Sequence, residues 1–431
     1  MRTVSKTVIG VDFGTQSARA VLVNAENGEI IYSCRKEYPY NSTPVPAIDC
    51  AENLPCATDY EMTLYELLRN VIPEEYRKTV AGICVDATSL TMVLLAEDGR
   101  ALSELDGWSE AAHARVKLWK YHRAQEKADE ALNLARNLQE PFLGRTGGSI
   151  SCEWMLPKLL EVRDEAPEIY SKIDLAMDLC EFLTFRLTGQ LVRSIGSLSY
   201  KCLWAEDLSF PERTFLNGLR AGFYEEYCHF LRGDVRKPGE CAGMLRSELT
   251  KRWGLPEQIP VATGMLDGHT SLATMGAFEP GDAALIVGTS NVCTVQDRKL
   301  QELKDVCGVA QDGMVTGSCG IDTGQSSTGN MLGWFVEHMA GWQIHREAEE
   351  RKISPHQVLA ERIQKPWENK VIAVDWWSGS RNAPCDLTLR GSMSGLEMDT
   401  KTEDIYLALL QAIACGTGTI LESLSGQGVE I

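Results

Sequence analysis

The sequence predicts an α/β protein built from two related halves, and three observations predict it. Apolar runs of strand length alternate with segments of helical period along most of the chain. Two hairpins share one design, an apolar run, a tip of glycine and hydroxyl residues, then a second apolar run; they lie at Val8 to Val23 and at Ala283 to Val295. A chain of 431 residues also outgrows one core, since single cores rarely extend beyond about 250 to 300 residues.

The first hairpin places Asp12 at the end of its leading strand, followed by the tip Phe13-Gly14-Thr15-Gln16-Ser17. Backbone amides of so small a tip can approach an anion closely, and Gly14 permits dihedrals that other residues avoid. Asp12 is suited to hold a hydrated divalent cation beside that anion. An ordinary hairpin with a turn glycine and an exposed aspartate is the alternative. The second tip, Gly288-Thr289-Ser290, favours the first reading: two such loops suggest two halves clasping one phosphate chain.

Composition narrows the partners. With 42 basic and 60 acidic side chains the net charge is −18, which argues against nucleic acid and acidic membranes. The opening Met-Arg-Thr-Val-Ser-Lys-Thr lacks the apolar core of a signal peptide, and no run of about 18 apolar residues suggests a membrane span. The 14 cysteines show neither Cys-x-x-Cys nor metal spacing, so reduced buried thiols are expected.

Further elements follow in order. Ile30 to Tyr40 reads as a third strand, Pro39 to Pro55 as a loop and Tyr60 to Val71 as a helix. Val80 to Leu102 reads as a strand pair closed by a Glu-Asp-Gly turn. Gln125 to Leu138 is a helix with Ala128, Leu132, Ala135 and Leu138 on one stripe. Gly147 to Ser151 is a glycine turn whose hydroxyls suit a helix cap, the helix running to about Val162. Trp119 is either a core anchor or a pocket residue; Glu153 serves either the helix dipole or a ligand. Asp178 to Gly189 is a helix closed by Thr-Gly. Glu403 to Leu424 is a long helix with Ile405, Leu409, Ala412 and Ile413 on one stripe, where Gly416 and Gly418 permit close packing.

These segments together resemble the FGGY carbohydrate kinases, and among them the ribulokinases, along nearly the whole chain. The segments concerned are the two hairpins, Leu118-Trp119-Lys120-Tyr121-His122, Ser151-Cys152-Glu153-Trp154, Ser197 to Trp204, Gly264-Met-Leu-Asp267-Gly-His269, Gly317 to Ser326 and Gly379-Ser-Arg381. The resemblance implies an actin-like ATPase (ribonuclease H-like) fold: two domains with a cleft between them, 1–270 for the sugar and 271–431 for the nucleotide. It implies Asp267 as general base for the sugar hydroxyl; a positioned carboxylate is what a poorly nucleophilic alcohol needs. Glu153, Lys201, Asp322 and Ala87 would contact the sugar. Gly14, Thr15, Gln16, Gly288, Thr289 and Ser290 would hold ATP, with Mg²⁺ near Asp12. His269 is read as a hydrogen-bonded structural histidine.

Two residues depart from the family pattern: Tyr121 replaces an acidic residue, and Asp322 a glutamate one methylene longer. Where this chain ends at Ile431, the family continues with a strand and the glycine-glycine turn that receives adenosine. An incomplete second domain with an unpaired sheet edge is therefore expected. The resemblance further implies a cytoplasmic enzyme of arabinose catabolism with sugar and ATP as its partners, from a family that often dimerises. Three functions compete: an ATP-dependent ketopentose kinase with L-ribulose favoured over another pentulose, a hexulose or a polyol, a truncated non-catalytic sugar-binding protein, and a chaperone-like or cytoskeletal ATPase. The sugar-side segments at Lys120, Glu153, Lys201 and Asp267 count against the third.

Overall fold

The computed structural model describes residues 5–38, 54–365, 368–381, 385–386 and 388–431. Its chain divides into two compact units: Met1–Leu143, Ser149–Thr274 and Ala310–Cys319 form the first, and Gly144–Gly148, Met275–Val309 and Gly320–Ile431 the second. The loop expected at 39–55 falls almost entirely outside the described residues.

The first unit opens with β1 (Thr7–Phe13) and β2 (Ser17–Asn24), paired antiparallel, and β3 (Ile30–Glu37) on the far side of β2. Alternation sends Ile9, Val11 and Phe13 inward, and helix α1 (Ala57–Asn70) covers them with Tyr60, Leu64, Leu67 and Leu68. Strand β4 (Val80–Ala87) runs parallel to β1, so Asp12 lies beside Asp86 and Phe13 beside Ala87.

After β4 the chain leaves this sheet. Strand β5 (Met92–Leu95) pairs antiparallel with β6 (Leu175–Asp178), so β4 and β5 are not the pair that their proximity in sequence suggests. The crossing at 88–91 separates two cores. One contains Phe13, Val85 and Phe182; the other contains Leu90, Trp154, Leu159 and Tyr227.

The second core is mainly helical: α2 (Gln125–Leu138), α3 (Met155–Glu165) and α4 (Pro167–Tyr170) precede β6. In α2 the buried stripe is Ala128, Ala131 and Ala135, while Leu138 is exposed, a rotation from the expected face. Three alanines let α2 lie close to α3, and the left-handed Gln139 (φ 55°) ends the helix beside Leu138. Helix α3 starts later than expected, after Trp154, and no hydroxyl caps it; Ser151 Oγ accepts from the Glu153 amide instead, at 3.2 Å.

Helix α5 (Leu179–Thr188) has Asp178 as its N-cap residue and closes on left-handed Gly189 (φ 72°). Then come β7 (Val192–Ser194), α6 (Ile195–Lys201), α7 (Arg213–Leu219), α8 (Phe223–Phe230) and β8 (Asp234–Arg236), which pairs with β7. The chain returns to the first sheet through β9 (Cys241–Met244), α9 (Ser247–Trp253), β10 (Pro260–Ala262), β11 (Met265–Leu266) and α10 (Asp267–Met275). The order is β3-β2-β1-β4-β10-β9, with β11 also on β4.

In the second unit β12 (Ala283–Val287) and β13 (Asn291–Asp297) form the second hairpin. With β14 (Gly308–Gln311) and β15 (Cys319–Gln325) they make a sheet of order β12-β13-β15-β14. Helices α11 (Gly329–His338), α12 (Trp342–Arg351) and α13 (Pro355–Arg362) follow, then the short pair β16 (Ile372–Ala373) and β17 (Met393–Ser394), and α14 (Thr402–Gly426). Helix α14 is long and apolar enough to cross a membrane by length and composition. Its first half packs in the core, Tyr406, Leu409 and Ile413 clustering with Met331, Phe335 and Leu359, while most of its second half is exposed or half-buried. Gly416 is needed for this packing, because a Cβ there would come within 2.4 Å of Gln325 Nε2; Gly418 faces open space.

Candidate active site

Three carboxylates converge at one end of the first sheet. Register places Asp12 beside Asp86, and β11 runs on β4 with Leu266 opposite Ala87, which brings Asp267 to the same end as the first residue of α10. Burial is the main cause that pushes the Asp267 carboxyl up, from 3.8 to about 6. The Asp12 charge adds to this, while the amides of Gly268 and Ser89 and the Lys201 charge pull the other way. The Gly268 N–H donates to Asp267 Oδ1 at 2.8 Å. Asp86 is raised as well, by burial first and then by Asp12 and Asp267, and its Oδ1 is buried without a hydrogen-bond partner. Asp86 is the functional candidate that reasoning from sequence missed; its signal was an aspartate closing an apolar strand, as Asp12 nearly does.

The hairpin tip is closed by the Gly14 N–H, which donates to the Ser17 carbonyl at 3.1 Å, and by Tyr38 Oη, which donates to the Gly14 carbonyl at 2.8 Å. The φ of Gly14 lies outside the left-handed region, so the freedom that a glycine permits is not used, and its amide is already committed to the turn. Smallness is what remains, since a Cβ would lie 3.3 Å from the Ser17 carbonyl. Beyond it are Thr15 and Gln16. The Trp119 indole N–H donates to Thr15 Oγ1 at 3.1 Å, which gives the half-buried tryptophan a role beyond filling the core.

Among the sugar-side candidates, Lys201 ends α6 almost fully buried, and its charge reaches both Asp267 and Asp178. Glu153 is buried with Oε1 3.0 Å from His122 Nε2. Ala87 is fully buried in the sheet, at the end of β4 opposite Phe13 and Leu266. Tyr121 turns into the helical core, its ring beneath Lys117 Nζ at 4.3 Å, and Lys117 pairs with Glu161 at 3.6 Å. The departure at Tyr121 is thus absorbed away from the carboxylates. The His269 ring packs edge-on against Tyr200 with centroids 4.7 Å apart.

In the second unit the Gly288-Thr289-Ser290 tip is held by the start of α11. Gly329 N donates to the Gly288 carbonyl at 2.9 Å, Asn330 N to the Thr289 carbonyl at 3.1 Å, and Thr328 Oγ1 to the Gly288 carbonyl at 2.9 Å. Gly329 has no room for a Cβ, which would meet that carbonyl at 2.4 Å. Asp322 is buried on β15, where its carbonyl accepts from the Cys307 amide. Behind the tip, Asn291 Nδ2 donates to Gln325 Oε1 at 2.6 Å, and Gln325 Nε2 to Asp375 Oδ2 at 2.5 Å. Gln325, Asp375, Trp376, Cys415 and Gly416 line a cavity of about 230 Å³. Ser380 before Arg381 exchanges two backbone bonds with Asp386; residues 382–384 of that turn lie outside the described residues.

A magnesium ion fits the donor chemistry of the first unit. Carboxylate oxygens are hard ligands, and Asp86 Oδ1 beside Asp12 is a buried acceptor with no hydrogen-bond partner in the protein. Among the described residues no three metal-ligating side chains form a cage. Magnesium seldom needs one, since it usually keeps several waters and takes one or two carboxylates plus phosphate oxygens.

Comparison with known proteins matches residues 7–274 to the N-terminal domain, and 283–431 to the C-terminal domain, of the FGGY family of carbohydrate kinases. The ribulokinase of Halalkalibacterium halodurans is 34% identical over 437 residues, covering 99% of this chain and 78% of that protein. The ribulokinase of Mycolicibacterium smegmatis is 36% identical over 442 residues, covering 99% and 77%. Similar solved structures include a xylulose kinase from Brucella ovis (TM-score 0.76, 21% identity, 99% of this chain and 80% of that one). Plasmodium falciparum glycerol kinase with ADP is another (TM-score 0.77, 16% identity, 99% and 80%). At these identities the structures speak for the fold alone, which is that of the actin-like kinases.

Proposed function

The chain belongs to the FGGY family of carbohydrate kinases, and on that premise we propose that it transfers the γ-phosphoryl group of ATP to the terminal hydroxyl of a ketopentose, L-ribulose first among them. One observation carries the reading: Asp267, raised to about 6, stands at the sheet end beside Asp12 and Asp86. A carboxylate of that basicity is largely ionised at neutral pH yet a better proton acceptor than an ordinary aspartate. Asp267 takes the hydroxyl proton as the sugar oxygen bonds to phosphorus and the bond to the bridging oxygen of ADP breaks.

Lys201 and Glu153 orient the sugar from the first unit, and Asp322 is assigned the same task in the second. Phosphate contacts are assigned to Thr15 and Gln16 beyond Gly14, with Trp119 holding the Thr15 hydroxyl. Within the second unit Gly288, Thr289 and Ser290 are assigned likewise. A divalent ion held through Asp12 and Asp86 would neutralise charge on the transferring group. The choice of L-ribulose follows the two ribulokinase relatives, and Asp322 is the residue on which that choice turns.

ADP formation measured with Mg²⁺, ATP and a panel of ketopentoses tests this. L-Ribulose-dependent turnover that Asp267→Asn abolishes is the expected result. Sugar-dependent thermal stabilisation with no ADP from any ketopentose would instead make the chain a sugar-binding protein.

A further inference from the structure

Leu90 sits at φ 64°, in the left-handed region that a side chain with a Cβ disfavours. Its peptide groups are gripped from both sides. The Leu90 N–H donates to Asp178 Oδ2 at 2.9 Å, and the Leu90 carbonyl accepts from Lys158 Nζ at 2.6 Å. Both partners are fully buried. The Lys158 ammonium spends its other protons on the carbonyls of Leu118 at 2.9 Å and Lys117 at 3.3 Å.

The neighbours of Leu90 lead to the reaction centre. Leu266 lies opposite Ala87, so the crossing that follows Ala87 abuts Asp267, and Thr88 N donates to the Phe13 carbonyl at 2.8 Å, at the start of the hairpin tip. Leu118, held by the same ammonium, precedes Trp119, whose indole holds Thr15. One buried lysine therefore braces the strand crossing beside Asp267 and the segment that steadies the hairpin. Strain persists in folded chains only where the surroundings over-determine it, and it gathers at functional sites.

We propose that Lys158 and Asp178 are positioning residues for phosphoryl transfer: they clasp the left-handed Leu90 peptide and so fix the strand crossing that follows Ala87 and abuts Asp267. The inference rests on Asp267 being the base. Neither residue reaches the substrate in this scheme, and each acts through Leu90. A purely structural lysine would on replacement lower stability, since three buried carbonyls lose their donor, and leave the kcat of the folded chain unchanged.

Lys158→Met in the full chain tests this, assayed for kcat, KM for the sugar and the rise in Tm that the sugar produces. The expected result is a kcat lower by about tenfold to a hundredfold, with KM within about threefold and the sugar-induced Tm rise retained, as for a slightly misaimed base. Adding Leu90→Gly should recover at least about fivefold, since glycine enters the left-handed region without a clasp. Asp178→Ala, alone and with Leu90→Gly, carries the same test should Lys158→Met fail to fold. A kcat within about twofold of the parent overturns the proposal. So does a loss that Leu90→Gly leaves unchanged, or a joint loss of kcat and sugar binding. Asp267→Asn is assayed alongside. If it stays active, the base assignment falls; if it is inactive while Lys158→Met is unaffected, only the clasp falls.

Discussion

Asp267→Asn should abolish turnover and yet make the ligand-free chain harder to melt at pH 8. The folded chain holds this carboxyl at about 6 against an ordinary 3.8. A carboxyl raised on folding binds its proton more tightly in the native state. Its contribution to stability is full below the unfolded value and is lost as pH rises through about 6. At pH 8 a shift of about 2 pH units corresponds to about 3 kcal/mol against the fold. Asparagine removes that cost but brings an amide N–H₂ toward the amides of Gly268 and Ser89, themselves donors. A net gain of about 1 to 2 kcal/mol remains, or about 2 to 4 °C for a unit of this size. Calorimetry of parent and variant at pH 8 and pH 4 checks it: the variant should melt higher than the parent at pH 8 and no higher at pH 4, where the asparagine penalty alone is left, with no ADP formed by the variant. An equal gap at both pH values, or a variant less stable at pH 8, would refute the claim that burial of an ionised Asp267 is the cause.

Other predictions follow from the same geometry. In the parent, kcat/KM should fall about tenfold per pH unit below about 6, as a protonated Asp267 cannot accept the hydroxyl proton; a flat profile to pH 5 would exclude it as the base. Trp119→Phe deletes the indole bond to Thr15 and should cost about 1 kcal/mol, seen as a roughly fivefold rise in KM for ATP with KM for the sugar unchanged. Gly416→Ala drives a methyl against Gln325 and Asp375 and should lower stability by about 1 to 3 kcal/mol. Gly418→Ala, with open space around it, should raise helix stability by up to about 1 kcal/mol; thermal melts separate the two. Asp322→Glu restores the longer carboxylate of the family and should raise kcat/KM for L-ribulose relative to other ketopentoses. An unchanged ratio would remove Asp322 from sugar selection.

The carboxylate centre shows how the fold makes chemistry available. Parallel strands end together, so aspartates far apart in sequence meet where the sheet stops and the loops begin. Crowding acidic groups there costs stability, and a cation with phosphate oxygens is the natural relief. Asp86 fits this logic best, because its Oδ1 is buried and unpartnered.

By itself the sequence determined whatever neighbours a few residues apart can encode. The alternation of Ile9, Val11 and Phe13 dictates the inward face of β1, the Asp178 and Gly189 ends bound α5, and helical period places α1 and α2. The two glycine-and-hydroxyl tips and the segment around Asp267 were equally visible, because turn chemistry and motif are local. Tertiary structure alone decided that β5 leaves β4 for β6, that α2 buries alanines and exposes Leu138, and that the first half of α14 packs in the core. It also decided that Asp86 joins Asp12, that Trp119 reaches Thr15, and that Lys158 and Asp178 meet at Leu90. Those contacts span from tens of residues to more than a hundred. Strand register and the low dielectric of a shared interior create them, and neither exists until the chain has closed on itself.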